Sequence, residues 1–216
     1  MEKLSQEKTV ANQFDKMAPH YEEGPWGIYF RYCYKKIREI SEPYIRPESK
    51  ILDLGCGTGG LVASLSPLIE KYGEIIGVDI SPKMIEVAIK NNKHYNKDKN
   101  IRFVVSGAEK LPFQDSYFNL VFCLNSFHHY FNQRDAINEI CRIMAPDSFF
   151  ILLDAFSDNP IRKLWGLVLK FLFNEPYAKY HTKSSLNDLF NKSNMQLLKQ
   201  ERFFYFALIS IYKKNN

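Results

Sequence analysis

A doubly wound α/β domain, with a mostly parallel sheet covered by helices on both faces, is predicted by three features of these 216 residues. From Lys50 onward, short apolar runs alternate with helical patterns, the rhythm of strand–helix–strand units. The first run, Ile51-Leu52-Asp53-Leu54, ends in the glycine-dense turn Gly55-Cys56-Gly57-Thr58-Gly59-Gly60, and a helical pattern begins at Leu61. The next strand-like run ends on an acidic residue, Asp79. Glycine lacks a Cβ, so such a turn bends tightly and lets its backbone approach a ligand. The helix start behind it offers unpaired N–H groups and a positive dipole end. Asp79 is placed to accept hydrogen bonds from ribose hydroxyls. The combination describes a site for an adenosine-containing cofactor.

The elements follow in order. Residues 1–49 read as helical, with an aromatic middle at Tyr21, Trp26, Tyr29, Phe30, Tyr32 and Tyr34. Strands are expected near 50–54, 74–79, 101–106, 118–124 and 148–154, each an apolar run bounded by polar or turn-forming residues. Helices are expected near 60–71, 82–92 and 133–144. Ser81 is a good N-cap for the second of these and Pro82 suits its first turn. In the third, Ile137, Ile140, Cys141 and Met144 make an apolar face, and a turn at Pro146 follows. Asn91–Asn100 is polar and lysine-rich, a surface linker. After Asp154 the rhythm changes: helices at 160–173 and 183–193 precede two closing strands, Met195–Arg202 and Phe204–Tyr212.

Two cofactors fit the glycine turn by spelling. Gly55, Gly57 and Gly60 satisfy G-x-G-x-x-G, as in nicotinamide dinucleotide folds. Asp53 through Gly59 also satisfies D-x-G-x-G-x-G, and a buried carboxylate at Asp53 would oppose a pyrophosphate. This second spelling resembles the first motif of class I S-adenosylmethionine-dependent methyltransferases of the small-molecule type. The resemblance continues through Gly77-Val78-Asp79-Ile80-Ser81-Pro82-Lys83-Met84, Val104-Val105-Ser106-Gly107-Ala108-Glu109-Lys110-Leu111-Pro112-Phe113, and Phe118 to His129. Phe14-Asp15-Lys16-Met17-Ala18-Pro19-His20-Tyr21 is similar to an element of methyltransferases related to the quinone-ring methylating enzymes.

This resemblance implies a Rossmann-like, seven-stranded, mostly parallel sheet of order 3-2-1-4-5-7-6, its last strand antiparallel. It implies one domain over 1–216, to which the N-terminal helical segment 1–49 and a cap at 155–182 are additions. It also implies S-adenosyl-L-methionine as cofactor and S-adenosyl-L-homocysteine as product. Cofactor contacts would come from Tyr21, as a lid unless it is a core aromatic, from Asp53 toward the ammonium, from the loop Gly55, Cys56, Gly57, Thr58 and Gly59, and from Asp79 at the ribose. Gly107, Ala108 and Glu109 would border the adenine, Met84 would pack on it or on its own sheet, Ile80 would be a further cofactor contact, and Asn125 would contact the cofactor loop. Gly107 stands where many relatives carry an aspartate for the adenine amino group, so that role is not carried over.

Composition sets the remaining bounds. Hydrophobic content of 45% and charged content of 25% suit a soluble globular domain. Glu2, Lys3, Glu7 and Lys8 argue against a signal peptide. Leu164–Phe173 and Phe203–Tyr212 are too short to span a bilayer as helices. Cys33, Cys56, Cys123 and Cys141 lack metal-ligand spacing, and the histidines have no accompanying ligand set, so no metal is expected. A cytoplasmic, reduced location is the economical expectation. Residues 1–50, 51–155 and 156–216 carry local charges of +1, −2 and +6. The C-terminal excess either solvates a face or attracts an anionic substrate or a membrane surface. No nucleic-acid module is recognisable and none is expected as partner. The oligomeric state is not legible.

The chemistry expected is direct in-line transfer of a methyl group to a small-molecule acceptor. Alignment supplies much of the rate, and a general base is needed only where the nucleophile must lose a proton. His128 and His129 follow the fourth strand, where an acceptor would approach, and are the candidates for that base; positioning or packing are their other uses. Two alternatives remain at this level: a non-catalytic S-adenosylmethionine-binding module, and an NAD(P)-dependent oxidoreductase.

Overall fold

The computed structural model describes residues 2–69, 73–94, 100–158, 160–172 and 177–215, without the side chains of residues 2–6, 165, 169 and 172. Helix α1 (Glu2–Met17) and α2 (Gly24–Ser41) precede the sheet. Strands and helices then alternate: β1 (Lys50–Leu54), α3 (Gly60–Leu65), β2 (Glu74–Asp79), α4 (Pro82–Asn91), β3 (Asn100–Val105), β4 (Phe118–Leu124), α5 (Gln133–Ile143) and β5 (Met144–Ala155). Helices α6 (Pro160–Leu172) and α7 (Lys183–Asn191) lead to β6 (Met195–Phe203) and β7 (Ala207–Lys214).

The seven strands are ordered β3-β2-β1-β4-β5-β7-β6, as the sequence leads one to expect. β1 to β5 pair in parallel, and β7 runs antiparallel to both β5 and β6. Alternation along each strand feeds two cores. Leu52 and Leu54 join Val121, Phe150, Ile137, Ile140 and Phe190 on the α5–α7 face. Ile51 joins Leu61, Leu65, Phe122, Ile151 and Ile37 on the α2–α3 face. Both faces are buried, which explains why the central strands read as continuous apolar runs. On the first face Phe190 stacks on Tyr212 with ring centroids 4.3 Å apart.

Several local expectations shift. The helix foreseen at 60–71 ends at Leu65 and tightens into a 3-10 turn at Ser66–Leu68, because Pro67 cannot continue the ladder; residues 70 and 71 lie outside the described set. The turn foreseen at Pro146 is instead an irregularity inside β5, which begins early at Met144. Phe118 pairs with Met144 and Leu120 with Phe149, so the residues between bulge out, with Asp147 in the left-handed region. β7 starts at Ala207 rather than Phe204, the residues before it forming the β6–β7 turn. Ser81 caps α4 as expected, its oxygen accepting from the Met84 N–H at 3.0 Å. Phe173 and residues 95–99 of the linker lie outside the described set.

Candidate functional site

All five central strands point their C-terminal ends to one edge, where open α/β sheets bind ligands. β1 delivers the glycine turn there. Gly55, Gly57 and Gly59 take φ values of +79°, +51° and +81°, conformations that L side chains rarely adopt. A Cβ on Gly55 would lie 2.2 Å from Ser126 Oγ, so this turn admits no side chain at that point. Asp79, at the end of β2, accepts from the Gly57 N–H and the Ser81 N–H, both at 2.9 Å, tying the turn to the start of α4.

A pocket opens beside this turn. Its walls include Tyr21, Gly55, Gly57, Asp79, Ile80, Met84, Ala108, Glu109 and Asn125 from the expected set. Asp53 and Cys56 line an inner recess that shares Tyr21, Gly55, Gly57, Leu124 and Asn125 with it. The other three expected residues adjoin the turn and the pocket wall. Thr58 turns its hydroxyl to Glu22 Oε1 at 2.6 Å, Gly59 packs against α4, and a Cβ on Gly107 would lie 3.5 Å from Glu109 and 3.7 Å from Glu7. The Tyr21 ring lies over Gly57, close enough that a Cβ there would approach it to 3.3 Å.

The N-terminal segment closes this pocket. Glu7, Val10 and Phe14 of α1 line it. Asp15 Oδ1 accepts from the Ser81 hydroxyl at 2.5 Å and from the Lys83 N–H at 3.0 Å. Glu22 Oε1 accepts from Thr58 and, at 3.0 Å, from the Tyr34 hydroxyl. Glu7 and Val10 were not singled out from the sequence, although their spacing to Phe14 places all three on one helical face.

Asp53 is the electrostatic anomaly of the site. It is 2% exposed, and its Oδ2 has no hydrogen-bond partner among the described residues. Burial, with the charge of Asp79 nearby, pushes its carboxyl up to about 8. An orphaned buried acceptor beside a glycine cradle fits a ligand that brings an ammonium group, and it disfavours a pyrophosphate. An unfolded aspartate ionises near about 4 whereas this one holds its proton to about 8, so the ligand-free protein loses stability as pH rises across that window. Asp53→Asn is therefore expected to raise the melting temperature at pH 8 and to have little effect near pH 4. The same linkage makes binding of an ammonium-bearing ligand at pH 7 release protons. Calorimetry in buffers of different ionisation enthalpy reads that release; none would place the ammonium elsewhere.

A second, aromatic chamber of about 270 Å³ adjoins the first and shares Phe14, Tyr21, Asn125 and His129 with it. Trp26, Tyr29, Phe30, Tyr180 and Phe206 supply half of its remaining lining residues. Asn125 stands at the junction with φ +51°, its Oδ1 accepting from the Tyr29 hydroxyl at 3.0 Å. Asparagine tolerates this left-handed conformation better than most residues.

The two histidines differ in setting. His128 lines the chamber, and its Nδ1 meets Asp154 Oδ1 at 2.5 Å. The same carboxylate accepts from the backbone N–H groups of His128 at 2.9 Å and Ala155 at 2.7 Å. Three hydrogen bonds thus fix Asp154 against one imidazole. Tyr180 stacks on the His128 ring at 5.0 Å. His129 instead packs edge-on against Phe14 at 5.1 Å, and burial with His128 alongside holds its pKa well below the ordinary imidazole value. Asp154 was read only as a strand end; its pairing with His128 depends on adjacent parallel strands.

A family model described as a methyltransferase domain matches residues 45–198. The chain is 34% identical over 117 residues to the uncharacterized methyltransferase YcgJ of Bacillus subtilis, covering 54% of this chain and 45% of that protein. It is 29% identical over 177 residues to a demethylmenaquinone methyltransferase of Lactobacillus johnsonii, covering 78% and 70%. It is 31% identical over 122 residues to the ubiquinone/menaquinone biosynthesis C-methyltransferase UbiE of Coxiella burnetii, covering 56% and 48%. The matches thus span just under half of YcgJ and of UbiE. The crystal structure of YcgJ superposes with a TM-score of 0.74 at 21% identity, over 86% of this chain and 99% of that one. PH0226 of Pyrococcus horikoshii gives 0.72 at 24%, over 91% and 96%. Both share the fold.

Proposed function

Because this chain belongs to the methyltransferase-domain family, we propose that it transfers a methyl group from S-adenosylmethionine to a flat aromatic small molecule bearing an ionisable hydroxyl. The observation that carries this reading is the meeting of a glycine-cradled pocket with an aromatic chamber, where the His128–Asp154 pair faces the acceptor side. S-adenosylmethionine, when bound, supplies a methyl group already activated by its sulfonium. Asp53 would face the ammonium, Asp79 the ribose hydroxyls, and Met84, Ile80, Ala108 and Glu109 the base.

The rest is done by the chain's own residues. Trp26, Tyr29, Phe30 and Phe206 hold a flat ring by apolar contact and exclude water from it. With Nδ1 engaged by Asp154, Nε2 of His128 is the nitrogen that takes the acceptor's proton, and the carboxylate stabilises the imidazolium that results. Deprotonation raises electron density on the hydroxyl oxygen and on ring carbons conjugated with it, so either atom can serve as nucleophile. His129, held neutral, and Asn125 fix the passage between the pockets. In this reading residues 1–216 act as one domain, and the additions 1–49 and 155–182 build its acceptor side. The four cysteines are free thiols, which suits a reducing, cytoplasmic setting.

The demethylmenaquinone and ubiquinone/menaquinone names of two relatives agree with an aromatic acceptor. Incubating the protein with methyl-labelled S-adenosylmethionine and a panel of phenols, catechols and hydroquinones is expected to move label into the organic extract. Binding of S-adenosylhomocysteine with no label transferred to any acceptor would favour a binding module instead.

A further inference from the structure

Helix α6 turns its apolar stripe outward. Ile161, Leu164, Leu167 and Phe171 stand at helical spacing and are 65%, 62%, 58% and 86% exposed. A helix of a globular protein ordinarily buries such a stripe. The helix is nonetheless fastened in place by Arg162. Its Nε donates to the Tyr205 carbonyl at 2.7 Å, and its guanidinium lies 4.5 Å over the rings of both Phe156 and Tyr205.

The β6–β7 turn carries the apolar surface onward. Phe204 and Tyr205 are about half exposed, and Phe204 meets Tyr29 and Tyr32 of α2 at 5.7 and 6.5 Å between ring centroids. Exposed Ile28 and Tyr32 extend the surface along α2 to Trp26, which also lines the aromatic chamber. Arg162 thus joins α6 to the turn, and Phe204 carries the exposed apolar side chains on to α2 and the mouth of the chamber. Cations accompany them: Arg31 and Lys35 share the exposed face of α2 with Ile28 and Tyr32, and Lys163 and Lys170 lie on α6.

We propose that this surface docks onto an anionic lipid bilayer. Helix α6 and the Phe204–Tyr205 turn lie in the interface, their apolar side chains at the acyl boundary and the lysines among the headgroups. Thirteen residues make a helix about 20 Å long, short of the roughly 30 Å hydrocarbon core, so α6 lies along the surface and does not cross it. Among the described residues no helix is long and apolar enough to cross a membrane. The mixture of apolar groups and cations selects the occupant. A second copy of the chain would set like charges against one another across a two-fold contact, whereas anionic headgroups neutralise them. The segment 156–216, with its net charge of +6, adds to that attraction. An apolar acceptor dissolved in the bilayer then enters the chamber without passing through water; this consequence rests on the methyl-transfer reading, and the docking does not.

Vesicle sedimentation tests the proposal, using phosphatidylcholine alone and an equimolar mixture with phosphatidylglycerol, at low and high salt. The wild-type chain is expected to pellet with the mixed vesicles only, and salt should release most of it. Leu164→Glu/Phe171→Glu and Lys163→Glu/Lys170→Glu should each weaken pelleting at least about tenfold while leaving melting temperature and S-adenosylhomocysteine binding unchanged. Absence of pelleting, equal pelleting on phosphatidylcholine, or a Leu164→Glu/Phe171→Glu variant that pellets like wild type would overturn it. So would a wild-type dimer, seen by analytical ultracentrifugation, that this variant splits, since the face would then join two copies. Failure of S-adenosylhomocysteine to bind wild type bears on the methyl-transfer reading alone.

Discussion

Replacing His128 with alanine is expected to lower kcat for methyl transfer by about 10²–10⁴-fold, the usual contribution of a positioned general base, while S-adenosylhomocysteine affinity stays unchanged. The imidazole lines the aromatic chamber only, so its loss leaves the cofactor pocket intact. Asp154 fixes the tautomer through Nδ1 and is itself fixed by two backbone N–H groups. Asp154→Asn keeps the shape and removes the charge, and should give a smaller loss of the same kind. Adding Asp154→Asn to His128→Ala should cost little more, because groups that act as a unit are not additive. Single-turnover transfer to an active phenol, with calorimetry on each variant, separates chemistry from binding. A His128→Ala enzyme of wild-type kcat would mean that the acceptor needs no base.

Asp79→Ala is expected to weaken S-adenosylhomocysteine binding by about 1–3 kcal/mol, which is roughly 5- to 150-fold in the dissociation constant. In the proposed reading the carboxylate receives ribose hydroxyls; it already holds the turn through the Gly57 N–H and the Ser81 N–H. Burial raises its pKa, and those backbone hydrogen bonds act against the rise. Asp79→Asn, which keeps one acceptor oxygen, should fall between wild type and alanine. Calorimetric affinity equal to wild type in the alanine variant would take Asp79 out of the site.

The sheet was legible because burial on both faces writes each central strand as an apolar run, and because its punctuation is chemical: glycines after β1, Ser81-Pro82 before α4. The bulge at Pro146 was not, since a proline in an apolar run reads as a turn whether the chain leaves the sheet or swells within it. The grouping of Asp53, Gly55, Gly57 and Asp79 at the proposed cofactor side was legible for a similar reason: β1 and β2 are neighbours in both sequence and sheet. The acceptor side was hidden. His128 and Asp154 are joined because β4 and β5 pair in parallel and end at the same edge, with Leu124 opposite Leu153. Tyr29 reaches Asn125 across 96 residues. The aromatic content of α2 was plain from the sequence, but Phe, Tyr and Trp fill a core and line a cavity equally well, and only the packing decides which.

The walls of the aromatic chamber come largely from Phe14 through Phe30 and from Phe206, outside the stretch 45–198 that the family description matches. Most of the chamber wall is thus encoded outside the matched stretch, whereas the glycine cradle, Asp53 and Asp79 lie within it, and Phe14 and Tyr21 serve both pockets. Descent can rewrite the chamber positions that the cradle does not share, because a change at Trp26 or Phe206 alters no strand of the parallel sheet and no glycine of the cradle. Relatives that share the matched stretch need not share a substrate. Exchanging Trp26, Tyr29 and Phe206 between two of them, with Phe14 and Tyr21 kept, would show whether acceptor preference is inherited with the chamber wall.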